Sequence, residues 1–336
     1  MKLSYGKIPV DLLRAVVFKN LGIERPEVVL GPSAGIDGAV IEVGNRSLIV
    51  SMDPITGALE RIGWLAVNVN ANDIATFGVE PAFLLSCILL PEGADQTIIE
   101  TICPQMNEAA KELGMAIVGG HCEVTPGLTN PIIVGCAVGI TEKGNYVTAS
   151  GAKPGDKLVL TKSAGIEGTA ILASDKEKEL KKATSANTLM SAKKLFNQVS
   201  VVKDAITAFK TGGVDAMHDP TEGGVAGGIY EMAEASNLGV EILEEKIPVR
   251  PETAEICRYF KIDPLQLVSS GTLLIAVKPK NADKVMENLR KARIQATVVG
   301  EFLEEPQNRT LVAKNGKPRA LPEPASDQLW LALTKR

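Results

Sequence analysis

Two alternating apolar runs, GAVIEV (residues 38–43) and SLIVSM (47–52), flank the dipeptide Gly44-Asn45. No other stretch constrains the fold as much. A Gly-Asn pair between β-type runs is a two-residue hairpin turn, whose primed geometry matches the twist of the strands it joins. With the turn at 44–45, Val43 faces Arg46, and counting outward sets Ile36 opposite Asp53 and Asp37 opposite Met52. Two aspartates then meet at the open end of the hairpin. Carboxylates held that close repel by up to roughly 1 kcal/mol even when partly solvated, unless one is protonated or a cation lies between them. Oxygen ligands of this kind suit a hard ion such as Mg²⁺. Aspartates that merely flank turns are the other reading, and the spacing leaves both open.

The remaining pattern alternates strands with helices. QTIIETICPQMNEAAKELG predicts a helix interrupted near Pro104, and MAIVGG and NPIIVGCAVGI predict strands, so the first half is an α/β or α+β unit. The polar, turn-rich segment TEKGNYVTASGAKPGDK (141–157) precedes the strand LVLT and marks a boundary. A chain of 336 residues is long enough for two domains, here 1–150 and 151–336. In the second, the charged stretch 175–213 predicts two solvated helices around a loop, and RTLVAKNGKPRALP a hairpin about Asn315-Gly316.

Composition excludes several classes. A net charge of −4 offers no basic patch for a general nucleic-acid binder. The longest apolar run, AFLLSCILLP, is far shorter than the roughly 20 residues of a membrane span, and the start lacks a signal-peptide core. Five cysteines, an odd number without CxxC spacing, argue against a zinc site and a disulfide framework. The expectation is a cytoplasmic protein with free thiols, bound to neither membrane nor nucleic acid.

GWLAVNVNANDIATFGVEP reads as a strand by the alternation of Val67, Val69 and Ala71, and about as well as a helix by the spacing of Ile62, Leu65, Ala66 and Val69, with Gly78 as its C-cap. In the helix Asn68, Asn72 and Asp73 approach one face, which is either a ligand set or an exposed asparagine-rich surface. In HDPTEGGVAGG, Asp219, Pro220 and Glu222 fit N-cap, N1 and N3 of a helix, with Glu222 closing a capping box. Gly223, Gly224, Gly227 and Gly228 would each cost about 0.8–1 kcal/mol inside that helix. Their presence predicts close approach to the backbone by another element or by a phosphate.

In this order GPSAGIDGAVIEVGNRSLIVSMDPITG, NANDIATFGVEP, GGHCEVTPG, KPGDKLVLTKSAGIEGTAIL and DPTEGGV resemble the aminoimidazole ribonucleotide (AIR) synthase-related superfamily over nearly the whole chain. That superfamily includes AIR synthase, thiamine-monophosphate kinase, selenophosphate synthetase and the HypE-type hydrogenase maturation proteins. DPITG and KIDPLQLVSSGTLLI are most similar to the HypE type. The resemblance implies a two-domain AIR synthase-like fold, α/β and α+β. Its N-terminal domain pairs with a partner's into a dimeric β-barrel, and its α+β C-terminal domain covers the site. It also implies ATP and Mg²⁺ as cofactors, a small-molecule substrate, and Asp37, Asp53 and Asp73 as the metal ligands. Thr56, Asn72, Gly119, Gly120, Asp219, Gly223 and Gly224 join Asp37 and Asp53 in the implied nucleotide site.

His121, one of two histidines, stands where relatives often carry an acidic residue after Gly-Gly. The implied catalytic set is His121, Asp73 and Glu123, with Glu123 supplying the displaced charge; a histidine ending a strand is the plain alternative. His218, beside Asp219, reads as structural. Two departures matter. HypE-type proteins end in a cysteine that receives a carbamoyl group, whereas Cys257 is the last cysteine of a chain ending LALTKR, and Glu222 stands where those proteins usually have arginine. The expected function is therefore ATP- and Mg²⁺-dependent activation of a small-molecule oxygen by phosphoryl transfer, on an unassigned substrate. The alternative is an ATP-binding accessory or maturation protein with little turnover.

Overall fold

The structure, a computed structural model, describes residues 3, 6–56, 58, 60–323 and 326–334. After a short helix α1 (Val10–Ala15), strands β1 (Val28–Leu30), β2 (Ala39–Val43) and β3 (Arg46–Ile55) lead to helix α2 (Ile62–Thr76). Strand β4 (Pro81–Leu90), helix α3 (Gln96–Leu113) and strands β5 (Ala116–Val124) and β6 (Ile132–Glu142) follow. The six strands form one mixed sheet in the order β1-β2-β3-β6-β4-β5, in which only β4 and β5 run parallel.

The chain then crosses to β7 (Lys157–Thr161) and helices α4 (Ile166–Asp175), α5 (Glu177–Leu180), α6 (Ala186–Lys193) and α7 (Val202–Thr211). Next come β8 (Val214–His218), α8 (Gly224–Ala235), β9 (Gly239–Leu243), α9 (Pro251–Phe260), β10 (Leu274–Val277) and α10 (Pro279–Lys291). The strands β11 (Ala296–Leu303), β12 (Arg309–Val312) and β13 (Pro318–Ala320) and the helix α11 (Gln328–Thr334) complete it. Its seven-stranded sheet has the order β13-β12-β9-β11-β7-β10-β8.

The hairpin forms with the expected register, Val43 against Arg46, but its ladder stops at Ala39 against Val50. Asp37 therefore does not pair with Met52. Its carbonyl instead lies 2.6 Å from Ser51 Oγ, and its side chain meets His218 at the end of β8 in the second sheet. The predicted hairpin near Asn315 forms between β12 and β13. Helix α3 is not interrupted: Pro104 sits inside it, on an exposed face. The charged stretch 175–213 forms three short α-helices rather than two.

Helix α2 settles the ambiguity of the asparagine-rich stretch. All 15 of its residues are buried, so no asparagine-rich face is exposed. It packs between the first sheet and the helices of the second unit, and a helix apolar around most of its circumference belongs in such a core. Its buried amides are satisfied by backbone. Asn68 donates to the Trp64 carbonyl. Asn72 donates to the Val199 carbonyl and accepts from the Val201 N–H, both at 2.8 Å, tying the two halves of the molecule together. Asn70 accepts from the Asp53 N–H at 2.8 Å and so fixes the end of β3.

One face of the first sheet covers α2; the other is apolar and open. Its registers align Met52, Cys136 and Leu85 in one row and Val50, Val138 and Phe83 in the next. Met52 is 62% exposed and Leu85 41%. At the edge, all nine residues of β5 are exposed.

Candidate active site

The acidic residues come from four places. Asp37 lies in the loop before β2, Asp53 near the end of β3, Asp73 on α2, and Asp219 just after β8. They line or adjoin a cleft of about 750 Å³ between the two sheets, whose wall includes Asp37, Asp53, Asp73, Glu222 and Glu231. A smaller cavity of about 320 Å³ shares Asp53 and Glu222 with it and adds Thr56, Glu167 and Asp327.

Their environment is hostile to charge. Burial, then the charges of Asp53, Asp219 and Asp37, push the Asp73 carboxyl well above the usual range. Ser51 Oγ lies 2.6 Å from both Asp73 Oδ2 and the Asp37 carbonyl oxygen. One hydroxyl proton serves only one acceptor, so a protonated Asp73 would complete both contacts. Burial and the Asp37 charge raise Asp219 to about 8. Asp219 is 1% exposed, and neither of its carboxylate oxygens has a hydrogen-bond partner among the described residues. Burial raises Asp53 to about 6, with Lys7 opposing and Asp37 adding to the rise.

Orphaned buried carboxylate oxygens are costly unless a cation or proton meets them. Oxygen ligands of this kind suit a hard divalent ion, but of the four aspartates only Asp37 and Asp219 belong to a group of closely spaced ligand atoms among the described residues. Asp37, Asp219 and His218 place ligand atoms within 4.8 Å of one another. The imidazole, however, is already committed. His218 Nδ1 lies 2.8 Å from Asp37 and Nε2 lies 3.0 Å from Glu231. Burial opposes its charge, but the two carboxylates outweigh burial and raise it to about 10, while Lys7 and His218 hold Glu231 down at about 2 against its own desolvation. His218 is therefore a buried cation that orients Asp37. His218, Asn70, Ser51 and Glu231 were missed as site residues; the only sequence signal was that His218 directly precedes Asp219.

The glycine-rich motif follows a different logic from the predicted capping box. Helix α8 starts at Gly224 with Gly223 as N-cap, so Asp219, Pro220 and Glu222 precede the helix. Glu222 accepts from the Lys7 N–H and the Trp330 indole. The Gly223 N–H donates to Asp327 Oδ2 at 2.7 Å. A Cβ on Gly224 would stand 2.6 Å from the Leu265 and Leu267 carbonyl oxygens. The close approach is made by protein backbone.

His121, Glu123, Gly119 and Gly120 lie apart from the aspartates, on the edge strand β5. The order β3-β6-β4-β5 puts them three strand spacings, about 14 Å, from Asp53. Gly120 has φ +148°, and a Cβ there would meet the Ser86 carbonyl oxygen at 1.9 Å. The Gly-Gly pair accommodates a bulge where Leu84 faces Ile117 and Leu85 faces Gly119. His121 Nε2 lies 3.2 Å from Glu123 Oε2, with both side chains largely exposed.

The family model of the AIR synthase related protein N-terminal domain matches residues 35–141, and that of its C-terminal domain residues 153–312. A hydrogenase expression/formation protein of Methanocaldococcus jannaschii is 32% identical, with 89% of each chain covered. Carbamoyl dehydratase HypE of Rhizobium leguminosarum is 30% identical over 81% of this chain and 78% of its own. Among solved structures, a HypE–HypF complex matches with TM-score 0.77 and 25% identity over 93% of this chain and 99% of the other. Hydrogenase maturation protein HypE in complex with ATP matches with TM-score 0.74 and 22% identity, covering 97% of both chains. In sequence over most of its length and in its two-domain fold, the chain belongs to the AIR synthase-related family.

Proposed function

We propose that this protein is an ATP- and Mg²⁺-dependent enzyme that activates an oxygen of a small-molecule substrate by phosphoryl transfer, working in the cytoplasm. The observation that carries the reading is the set of buried carboxylates around the cleft, above all Asp219 with both oxygens unpartnered. Asp37, Asp53 and Asp73, with Asp219, would hold the metal; bound there, it would offset the charge of the phosphates against that of the site. The protein's own share is positioning. His218 and Glu231 hold Asp37, Asn70 holds the Asp53 backbone, and the loop carrying Thr56 forms one wall. That members of the family bind ATP is supported by the relative solved with it.

The reading includes a homodimer joined through residues 1–150, with 151–336 as the second domain. The open apolar face and the exposed edge strand β5 support such pairing, since an unpaired edge is a template for another chain. A partner's β5 would then bring His121 and Glu123, with Gly119 and Gly120, to the aspartates, as contact or proton carrier for phosphate.

The second reading is an accessory protein of hydrogenase maturation in which ATP has a conformational role. It is favoured by the relatives' names and by the HypE–HypF complex among the similar structures. Phosphate release from Mg·ATP, measured with and without carboxamide or phosphate acceptors, separates the two. Turnover that Asp73→Asn abolishes supports the enzyme; tight ATP binding without turnover supports the accessory role. ATP affinity unchanged in EDTA would sink the metal assignment in both.

A further inference from the structure

The two cavities at the candidate site carry an unequal charge. The larger is walled by Asp37, Asp53, Asp73, Glu222 and Glu231, and the smaller adds Glu167 and Asp327. Among the described residues lining either one, Lys7 is the only lysine or arginine. It reaches them from a segment some two hundred residues distant in sequence from the residues that hold it. Its backbone N–H donates to Glu222 Oε2 at 2.7 Å, and its Nζ donates to Glu231 Oε1 at 3.3 Å. Gly6 before it, at φ +99°, lies against Glu222 and Trp330; a Cβ there would stand 3.2 Å from Glu222 Oε2. Farther along, Arg14 donates to Glu234 at 3.2 Å, so the segment is tied to the body of the protein at Lys7 and again seven residues on.

Glu222 is the hinge of this arrangement. One of its oxygens accepts from the Lys7 backbone and the other from the Trp330 indole at 3.2 Å, so the carboxylate fixes the strap and leaves the ammonium on a flexible stem above the aspartates. The Lys7 side chain is half exposed, free to exchange one anionic partner for another. Burial opposes the charge on Lys7, but Glu231, Asp53 and Asp37 outweigh it, so the side chain enters as a cation.

We propose that Lys7 is the protein's own countercharge for this cleft: it neutralises the carboxylates in competition with a divalent cation, and turns to the phosphates of a nucleotide when metal and nucleotide bind together. Glu222 is the positioning residue that delivers it. The identity of the anion rests on the nucleotide reading above; the competition with metal does not.

The test uses the full-length protein and its Lys7→Met, Lys7→Arg and Glu222→Ala variants, with circular dichroism confirming equal folding. Mn²⁺ alone is titrated by electron paramagnetic resonance, and Mn²⁺ with a non-hydrolysable ATP analogue by calorimetry. Lys7→Met is expected to bind Mn²⁺ alone roughly tenfold more tightly and the nucleotide roughly tenfold more weakly, the effect of one half-exposed charge at an effective dielectric near 20. Lys7→Arg should stay near wild type in both. Glu222→Ala should weaken nucleotide binding, and adding it to Lys7→Met should weaken it no further, since Glu222 acts through Lys7. Unchanged Mn²⁺ affinity in Lys7→Met would overturn the countercharge, and unchanged nucleotide affinity the phosphate contact. Wild-type protein that binds Mn²⁺ but no nucleotide would remove the nucleotide reading, while the Mn²⁺ comparison still decides whether Lys7 competes with metal.

Discussion

Replacing Asp219 with asparagine should stabilise the metal-free protein, because it removes a charge that the fold buries without a partner. The Asp219 carboxyl moves from 3.8 to about 8 on folding. A raised carboxyl pKa means that the folded state binds the proton more tightly than the unfolded chain. The stability of wild type is therefore undiminished by this group below about pH 4, declines through the interval up to about pH 8, and is flat above it. A shift of about four units at roughly 1.4 kcal/mol each sets a ceiling near 5–6 kcal/mol. Relaxation and water entry bring the realised penalty to about 2–4 kcal/mol. Equilibrium urea unfolding followed by far-ultraviolet circular dichroism at pH 5, 7 and 9 in EDTA measures it. Asp219→Asn should gain by that amount at pH 9, gain about a third as much at pH 5, and show a shallower pH slope. Saturating Mg²⁺ should then restore wild type, since a ligand at a hundred times its Kd stabilises by about 2.7 kcal/mol, and should help the variant less. A variant no more stable than wild type at pH 9 in EDTA, or one with the same pH slope, would refute the argument from the unpartnered carboxylate.

The buried Lys162–Asp204 pair, 2.7 Å apart, should lose about 3 kcal/mol in Asp204→Ala, because an uncompensated ammonium remains, with urea midpoints as the readout. Asn72→Ala should cost about 2–4 kcal/mol by leaving the Val199 carbonyl and the Val201 N–H unsatisfied; a change within 0.5 kcal/mol would show that water replaces the amide. His121→Ala should leave the thermal midpoint unchanged, its side chain being 65% exposed. It should nonetheless slow phosphate release if a partner's β5 completes the site, and sedimentation velocity on the same samples reports whether a dimer is present. Gly120→Ala should detach or unfold the edge strand, seen as lost amide protection in hydrogen exchange over 116–124, since its Cβ has no room against Ser86.

Local geometry was legible in the sequence wherever it depends on neighbours along the chain. Alternation about Gly44-Asn45 is enough for the register of β2 and β3; Asn315-Gly316 locates the hairpin of β12 and β13 but not its register, which pairs Val312 with Pro318 where a two-residue turn would pair Ala313 with it. The aspartates at the site were picked out as chemistry, and the family motifs identified the class. Where two patterns tied, as in the asparagine-rich stretch, only burial separated them. The face of α2 that periodicity leaves free is covered by the second half of the molecule, and that contact turns its asparagines into backbone clamps. Capping rules failed at Glu222 for a similar reason, since a carboxylate that can close a local box finds better partners in Lys7 and Trp330.

The sequence by itself determined the two sheets' hairpins, the absence of a helix apolar enough to span a bilayer among the described residues, and the supply of carboxylates. Only the tertiary structure decided what those carboxylates meet. His218 reaches Asp37 across 181 residues and Lys7 reaches Glu222 across 215. Periodicity carries no information over such separations, because which charges are buried together depends on how the sheets pack. In a low-dielectric cleft, that packing decides whether an aspartate is a solvated surface group or one that needs a cation.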